Sequence, residues 1–309
     1  MTNGDLNRLG RHSSFMSEKI TIEGTALNTS TAPTETDDAV DAPLTIVEVD
    51  SHSHFIAQCW TPANKELLAR LIAIIAMGQA VHAARIIRGL SPAAPGLNHE
   101  ALREAAKAHL RVTAKTAAQR DAVIAHRDGF IFEAISWIAA QHSTNGSALL
   151  RDPHIKATTQ GLDGLMLERT SEGAISRTTI FEDKCSTNPR DKFRDEILPA
   201  FKAHHANERG PELVAAGAAL LEKAGIDGTH AVAAAARVLD LAYRAYRGSV
   251  TITDDDDRPE RRKALFKGYD QLDGLVRERR IGGTFVTPAP LRDWFQDLAT
   301  QAITYIDTL

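Results

Sequence analysis

Two charged side chains separated by one residue, Glu182 and Lys184, are the first sign of chemistry in the sequence. They stand at the end of a strand-like run, residues 175–185. Alternate residues of a strand point to the same face, so the carboxylate and the ammonium group can act in one small volume. Phosphodiester hydrolysis needs a divalent cation held by carboxylate oxygens and a group that positions the attacking water. The pair therefore predicts a metal site with a built-in cation.

A third charged residue, Asp163, precedes this strand and is flanked by two glycines that allow close backbone approach. Turn-forming residues at 170–173 follow it. We therefore predict a hairpin with Asp163 on one arm and Glu182 on the other. No other lysine of the chain has an acid two residues before it. Two alternatives stay open: Glu182 and Lys184 as an exposed ion pair, and Asp163 as an ordinary turn residue.

An acid followed on the next strand by acid-x-Lys resembles the PD-(D/E)XK nuclease superfamily, and the resemblance covers about residues 120–255. It implies an α/β (α+β) fold with an αβββαβ core, extended here by a helical N-terminal region and additional helices. It also implies that Asp163 and Glu182 bind Mg²⁺ or Mn²⁺ and that Lys184 orients or polarises the attacking water. The main-chain carbonyl of Asp183 is predicted as a further metal ligand.

Glu133 is the one charged residue in a largely apolar helix predicted over residues 129–140. A buried carboxylate is costly unless it is paired or bound to a cation. The superfamily resembled here often places a glutamate on the helix before its first core strand. We therefore predict that Glu133 holds a second metal or a water beside it. The alternatives are pairing with an arginine or a place at the edge of the helix.

Three cations, Arg190, Lys192 and Arg194, follow the strand that carries Lys184. The residues before them end in Pro189, which predicts the start of a helix there. Amides and cations at a helix start suit a phosphate group, so we predict that these three residues contact the nucleic-acid backbone. A solvated helix face is the alternative.

Charge and composition divide the 309-residue chain. Residues 1–50 carry three Lys and Arg against nine Asp and Glu, whereas the remainder carries 33 against 31. We predict an acidic, disordered tail (1–45), a helical N-terminal region (46–118) and a nuclease-like domain (119–309). A near-neutral body indicates that contact with nucleic acid is local or shared with a partner subunit.

The remaining pattern predicts mainly helices, with a few strands. Helices are expected over residues 62–89, 98–117, 211–224, 229–247 and 289–309, and strands over 249–253 and 283–287. The segment between the acid-x-Lys strand and the next strand is longer than in the minimal core, which leaves the strand order open. Two cysteines and no apolar leader segment indicate a reducing cytoplasm, and no stretch is long enough to span a membrane.

Together these features predict a Mg²⁺-dependent DNA endonuclease. The chain has no nucleotide-binding motif, and similar nucleases of bacterial antiviral systems, such as Hachiman-type systems, act beside a helicase. By analogy we expect a role in antiviral defence with a helicase or ATPase partner. The competing hypothesis is a non-catalytic interaction or immunity subunit on a nuclease-like scaffold. RNA as the substrate also stays open, because metal-assisted hydrolysis does not depend on the 2′-hydroxyl group.

Overall fold

Among the residues that the structure describes, seven strands form one mixed sheet. The computed structural model describes residues 42–49, 52–144, 147–155 and 161–309. The strands are β1 (Leu44–Val49), β2 (Ile56–Pro62), β3 (Leu149–Leu150), β4 (Gly164–Arg169), β5 (Ile175–Lys184), β6 (Arg244–Thr253) and β7 (Arg280–Thr287). Their order across the sheet is β1-β2-β7-β6-β5-β4-β3. The predicted mixed α/β class is confirmed.

Strand direction changes near both edges of the sheet. Strands β2, β7, β6 and β5 are parallel to one another, while β1 is antiparallel to β2. On the other side, β4 is antiparallel to β5, and β3 is antiparallel to β4. The carboxyl ends of β5, β6 and β7 therefore lie at the same edge of the sheet, the edge where polar sites form in parallel sheets.

Helices cover both faces of the sheet. They are α1 (Lys65–Ala76), α2 (Ala80–Ile87), α3 (Glu100–Leu110), α4 (Ala117–Thr144), α5 (Pro189–Lys192), α6 (Leu198–His205), α7 (Gly210–Lys223), α8 (Gly228–Ala235), α9 (Pro259–Leu265) and α10 (Leu291–Asp307). A π-helical turn, Phe193–Ile197, joins α5 to α6. Apolar residues of α1–α4 and α10 form one core cluster, and those of α6–α9 form a second.

The alternation of side chains along β5 assigns its residues to these two layers. Phe181 belongs to the cluster under α4, and Ile180 belongs to the cluster under α6–α9. Since neighbouring residues of a strand point to opposite faces, Glu182 and Lys184 face the α6–α9 layer. Asp183 faces α4. One strand therefore presents charged residues to two different environments.

Several predicted elements are confirmed, including the helix that starts at Pro189, the strand within 283–287 and the C-terminal helix. The helix predicted over 62–89 is two helices, α1 and α2. The helix predicted over 229–247 is wrong beyond Ala235, because residues from Arg244 onward pair with β5 and β7 instead. Burial of a central strand outweighed the local helix preference there.

The described residues belong to one compact unit, Ala39–Leu309. The boundary that we predicted at residue 118 separates strands of one sheet, because β2, within residues 46–118, pairs with β7. The predicted acidic, disordered tail, residues 1–45, lies outside the described residues as far as position 41. Its end is wrong, because Leu44 and Thr45 belong to β1 and pair with β2. Within the part of the chain that is described, no helix has the length and apolar character needed to cross a membrane.

Candidate metal centre

Asp163, Glu182 and Lys184 meet at the end of β5. The Nζ atom of Lys184 donates hydrogen bonds to Oδ2 of Asp163 at 3.0 Å and to Oε2 of Glu182 at 3.3 Å. The side chain of Glu182 is 6% exposed, whereas those of Asp163 and Lys184 are 21% and 25% exposed. The three predicted residues thus form one group, with a cation between two carboxylates and a side open to solvent. We call it the Lys184 group.

Strand register explains why Asp163 reaches this position. Gly164 pairs with Phe181 in the antiparallel β4–β5 ladder, so Asp163 comes opposite Glu182. A Cβ atom on Gly164 would lie 2.6 Å from Cδ2 of Phe181, and a side chain there would push the strands apart. The amide of Asp183 also donates to Oδ2 of Asp163 at 2.9 Å. The acid is therefore held by β5 itself.

Burial and charge act in opposite directions on the Lys184 group. Burial, together with the charge of Asp163, raises the pKa of Glu182 well above its ordinary value, against the opposing effect of Lys184. Burial alone would lower the pKa of Lys184, but the charges of Asp163 and Glu182 raise it overall. Lys184 therefore stays protonated, and the Glu182 carboxylate favours binding a proton or another cation.

The side chain of Asp183 lies on the opposite face of β5, away from the Lys184 group. Burial raises the pKa of Asp183 to about 6, while the charge of Arg247 and the hydroxyl groups of Ser136 and Ser249 act against this shift. Arg247 donates a hydrogen bond to the main-chain oxygen of Ser136 at 3.0 Å, and its guanidinium lies 3.6 Å from the centre of the Phe181 ring. Metal binding by the main-chain carbonyl of Asp183 stays a prediction.

Glu133 is not in contact with the Lys184 group. Its Oε1 atom accepts a hydrogen bond from the amide of His154 at 2.7 Å and lies 3.1 Å from Nδ1 of the same residue. It therefore holds the segment after β3, which runs beside the start of β4 because the amide of Arg151 donates to the carbonyl of Leu165. In the structure Glu133 makes a contact that fixes a neighbouring loop, and its role in holding a second metal or a water stays a prediction.

The three predicted phosphate contacts sit on the helical segment after β5, and each has a partner within the protein. Arg190 donates to the carbonyls of Leu265 and Lys267, both at 2.8 Å. Lys192 pairs with Glu196, which is on the same helical segment. Arg194 pairs with Asp191 at 3.0 Å and with Asp195 at 2.6 Å. Exposed ion pairs of this kind contribute little to stability, so Lys192 and Arg194 can exchange partners more easily than Arg190.

No family model matches the chain, and no curated protein matches it. What the site can do therefore follows from its geometry. Among the described residues, no group of three or more His, Cys, Asp or Glu side chains is arranged to hold a metal ion. Asp163 and Glu182 are thus the side-chain oxygen donors that this site offers.

Sequence reasoning missed two residues that support Asp163. Oε1 of Glu212, on α7, accepts a hydrogen bond from the amide of Leu162 at 3.0 Å. Nη1 of Arg151 donates to the carbonyl of the same Leu162 at 3.1 Å. Glu212 lies 50 residues from Leu162 in the chain, and Arg151 lies 11 residues before it. No local spacing could therefore have indicated either contact.

Proposed function

We propose that this chain is a divalent-metal-dependent nuclease with its reaction centre at the Lys184 group. The observation that carries the proposal is the position of Lys184 Nζ, 3.0 Å from Asp163 and 3.3 Å from Glu182, at the carboxyl end of a central strand. The group combines two oxygen donors with a protonated amine that is partly open to solvent. That combination suits cleavage of a phosphodiester bond.

The donor set fits Mg²⁺ or Mn²⁺. Hard divalent cations prefer carboxylate oxygens and often take few protein ligands, with water and substrate phosphate as the others. Two carboxylates and one ammonium carry a net charge of about −1 when all are ionised, which favours a cation. Burial, with the charge of Asp163, raises the pKa of Glu182, so a bound cation in place of the proton would stabilise its ionised form.

In the proposed reaction, Asp163 and Glu182 would hold the metal, which when bound would supply a water of lowered pKa and polarise the phosphate. Lys184 keeps its proton, because its pKa is raised by the two carboxylates despite burial. Its ammonium group orients the attacking water and offsets the charge of the phosphate. The amide of Asp183 fixes the orientation of Asp163 by donating to Oδ2.

Strand topology supports the PD-(D/E)XK-like interpretation. Helix α4 precedes β3, and β3, β4 and β5 follow one another as antiparallel neighbours. The helices from α5 to α8 then lead to β6, which lies parallel to β5. This is the order α-β-β-β-α-β, with Asp163 at the start of the second strand of the meander and Glu182 and Lys184 at the end of the third.

We propose DNA as the substrate and a helicase or ATPase as the partner that delivers it. The support is charge: residues outside the acidic first 50 are close to neutral. The cations on the segment after β5 are paired within the chain. Affinity for a duplex comes largely from cations that replace condensed counterions, so a basic partner would strengthen binding.

One observation favours the alternative, a non-catalytic interaction subunit. The Lys184 ammonium group already satisfies both carboxylates, as it would in an ion group that only stabilises the hairpin. The two functions differ in one consequence. A structural ion group is independent of divalent cations, whereas a reaction centre requires them.

The test is cleavage of duplex DNA, single-stranded DNA and RNA at micromolar protein and low salt, with and without Mg²⁺. We expect Mg²⁺-dependent cleavage by the parent and a loss of at least about 100-fold in Lys184→Ala, the usual cost of removing a positioned catalytic group. Lys202→Ala, which removes an exposed lysine, is the matched control and should cut like the parent. No cleavage by the parent, or full activity in Lys184→Ala, would reject the proposal.

A further inference from the structure

The turn that carries Asp163 is held by side chains from outside the hairpin. Gly161 has a φ of 152°, a conformation that favours glycine. A Cβ atom there would lie 3.1 Å from Oε1 of Glu212. Helix α7 therefore approaches the turn closely enough for the Glu212 carboxylate to contact the main chain just before Asp163.

The peptide groups of Leu162 are fixed on both sides. Glu212 accepts from the amide of Leu162 at 3.0 Å, and Arg151 donates to its carbonyl at 3.1 Å. Leu162 itself is fully buried, so its main-chain groups have little access to water and depend on these partners. Because Asp163 is the next residue, these two bonds set the direction in which its carboxylate leaves the main chain.

Glu212 is in turn fixed by α6 and the α6–α7 turn. Arg209 donates to Oε2 of Glu212 at 2.8 Å and to Nε2 of His204 at 3.4 Å. His204 is fully buried, and burial followed by the charge of Arg209 lowers its pKa to about 4. Its ring is therefore neutral near pH 7 and can accept a hydrogen bond from Arg209. A chain of contacts thus runs from His204 to the turn of Asp163.

We propose that Glu212 is a positioning residue for Asp163, so that α7, within the long segment between β5 and β6, is part of the metal centre. The proposal rests on the proposed nuclease function. Glu212 acts through the Leu162 amide and does not itself hold the metal. Displacement of a reacting group by about 1 Å can reduce a rate about 100-fold, so loss of this bond should lower turnover while leaving nucleic-acid binding unchanged.

Three variants separate positioning from stability. Glu212→Ala removes the acceptor for the Leu162 amide. Glu212→Gln keeps an oxygen acceptor but loses the ion pair with Arg209. Glu222→Ala removes an exposed acid from the same helix and is the matched control. Each purified protein is first melted to establish that it is folded, and rates are expressed per folded molecule.

Three measurements are made on each variant: kcat and KM for DNA cleavage, Mn²⁺ affinity by calorimetry, and hydrogen exchange of the Leu162 amide in metal-free protein. Glu212→Ala should lower kcat and Mn²⁺ affinity about tenfold or more with KM unchanged, and should speed exchange of the Leu162 amide at least tenfold. Glu212→Gln should stay within about threefold of the parent in all three, and Glu222→Ala should match the parent.

Equal effects in Glu212→Ala and Glu212→Gln would mean that the ion pair with Arg209 matters and the Leu162 bond does not, which would overturn the proposal. Parent-like metal affinity and amide exchange in Glu212→Ala would overturn it as well. A parent that neither binds Mn²⁺ nor cleaves nucleic acid would instead reject the nuclease function, so the two failures are distinguishable.

Discussion

The two faces of β5 place neighbouring acids in contrasting surroundings. Glu182 shares the Lys184 ammonium group with Asp163, and the trio remains partly open to solvent. Asp183, the next residue, turns toward α4, where its Oδ1 atom is buried. The cation on that face, Arg247, is itself buried against the Phe181 ring and is bonded to Ser136.

Accessibility, more than charge, distinguishes the two faces. Burial raises the pKa of both acids. On the Asp183 side, a buried arginine held by a ring and a carbonyl cannot give way to a ligand without losing those contacts. On the Glu182 side, Lys184 and Asp163 are partly exposed, so in the proposed function a cation and a phosphate would approach from this edge. We therefore propose chemistry for the Glu182 face and a structural role for the Asp183 face.

The largest expected effect comes from replacing the carboxylate of Glu182 or of Asp183 by a neutral amide, one at a time. Glu182→Gln should lower Mg²⁺-dependent cleavage at least about 100-fold, since it removes a metal ligand. Asp183→Asn should stay within about tenfold of the parent, because its amide, the group that bonds Asp163, is main chain and is retained. Single-turnover cleavage rates of the two variants, side by side, measure the contrast. A larger loss in Asp183→Asn than in Glu182→Gln would reverse the assignment of the faces.

A smaller effect concerns a buried base in the layer that covers the Lys184 group. Burial, with the charge of Arg209, lowers the folded-state pKa of His204 to about 4 from an ordinary value of 6.5. A lowered pKa means that the contribution to stability is present above pH 6.5 and is lost as the pH falls toward 4. Between pH 7 and pH 5 the free energy of unfolding should therefore fall by about 2 kcal/mol on account of this group.

Urea unfolding of the parent and of His204→Gln at the two pH values measures this effect. Glutamine keeps an acceptor for Arg209 and does not titrate. Between pH 7 and pH 5 the free energy of unfolding of His204→Gln should therefore fall by about 2 kcal/mol less than that of the parent. Other titrating groups are common to both proteins and cancel in the comparison. Identical pH dependence in the two proteins would show that His204 is not held neutral by its surroundings.

The Lys184 group was predictable because its residues obey local rules. The two-residue spacing of Glu182 and Lys184 places them on one face of any strand, and the hairpin register brings Asp163 opposite Glu182. The supporting residues obey no such rule. Glu212 contacts Leu162 because helix α7 packs beside the turn. No sequence pattern predicts the position of that helix.

The errors in the fold have the same origin. Alanines after Thr229 favour a helix, and the pattern indicates no end before Arg247, yet the chain enters β6 at Arg244. Pairing on both sides with β5 and β7 stabilises the strand, and neither partner is near it in sequence. Glu133 was predicted to hold a metal or a water because it is a lone charge on an apolar helix, and that role stays a prediction. Its partner, His154, lies in a loop whose position depends on the sheet.

The most direct test of the central claim is a calorimetric titration of the parent and of Asp163→Asn with Mn²⁺. It requires no substrate and no partner protein. We predict binding in the parent and a loss of at least about tenfold in affinity in Asp163→Asn, because one of the two carboxylate donors is removed. Absence of binding in the parent, or equal affinity in the two proteins, would contradict the claim that Asp163 and Glu182 hold a divalent cation beside Lys184.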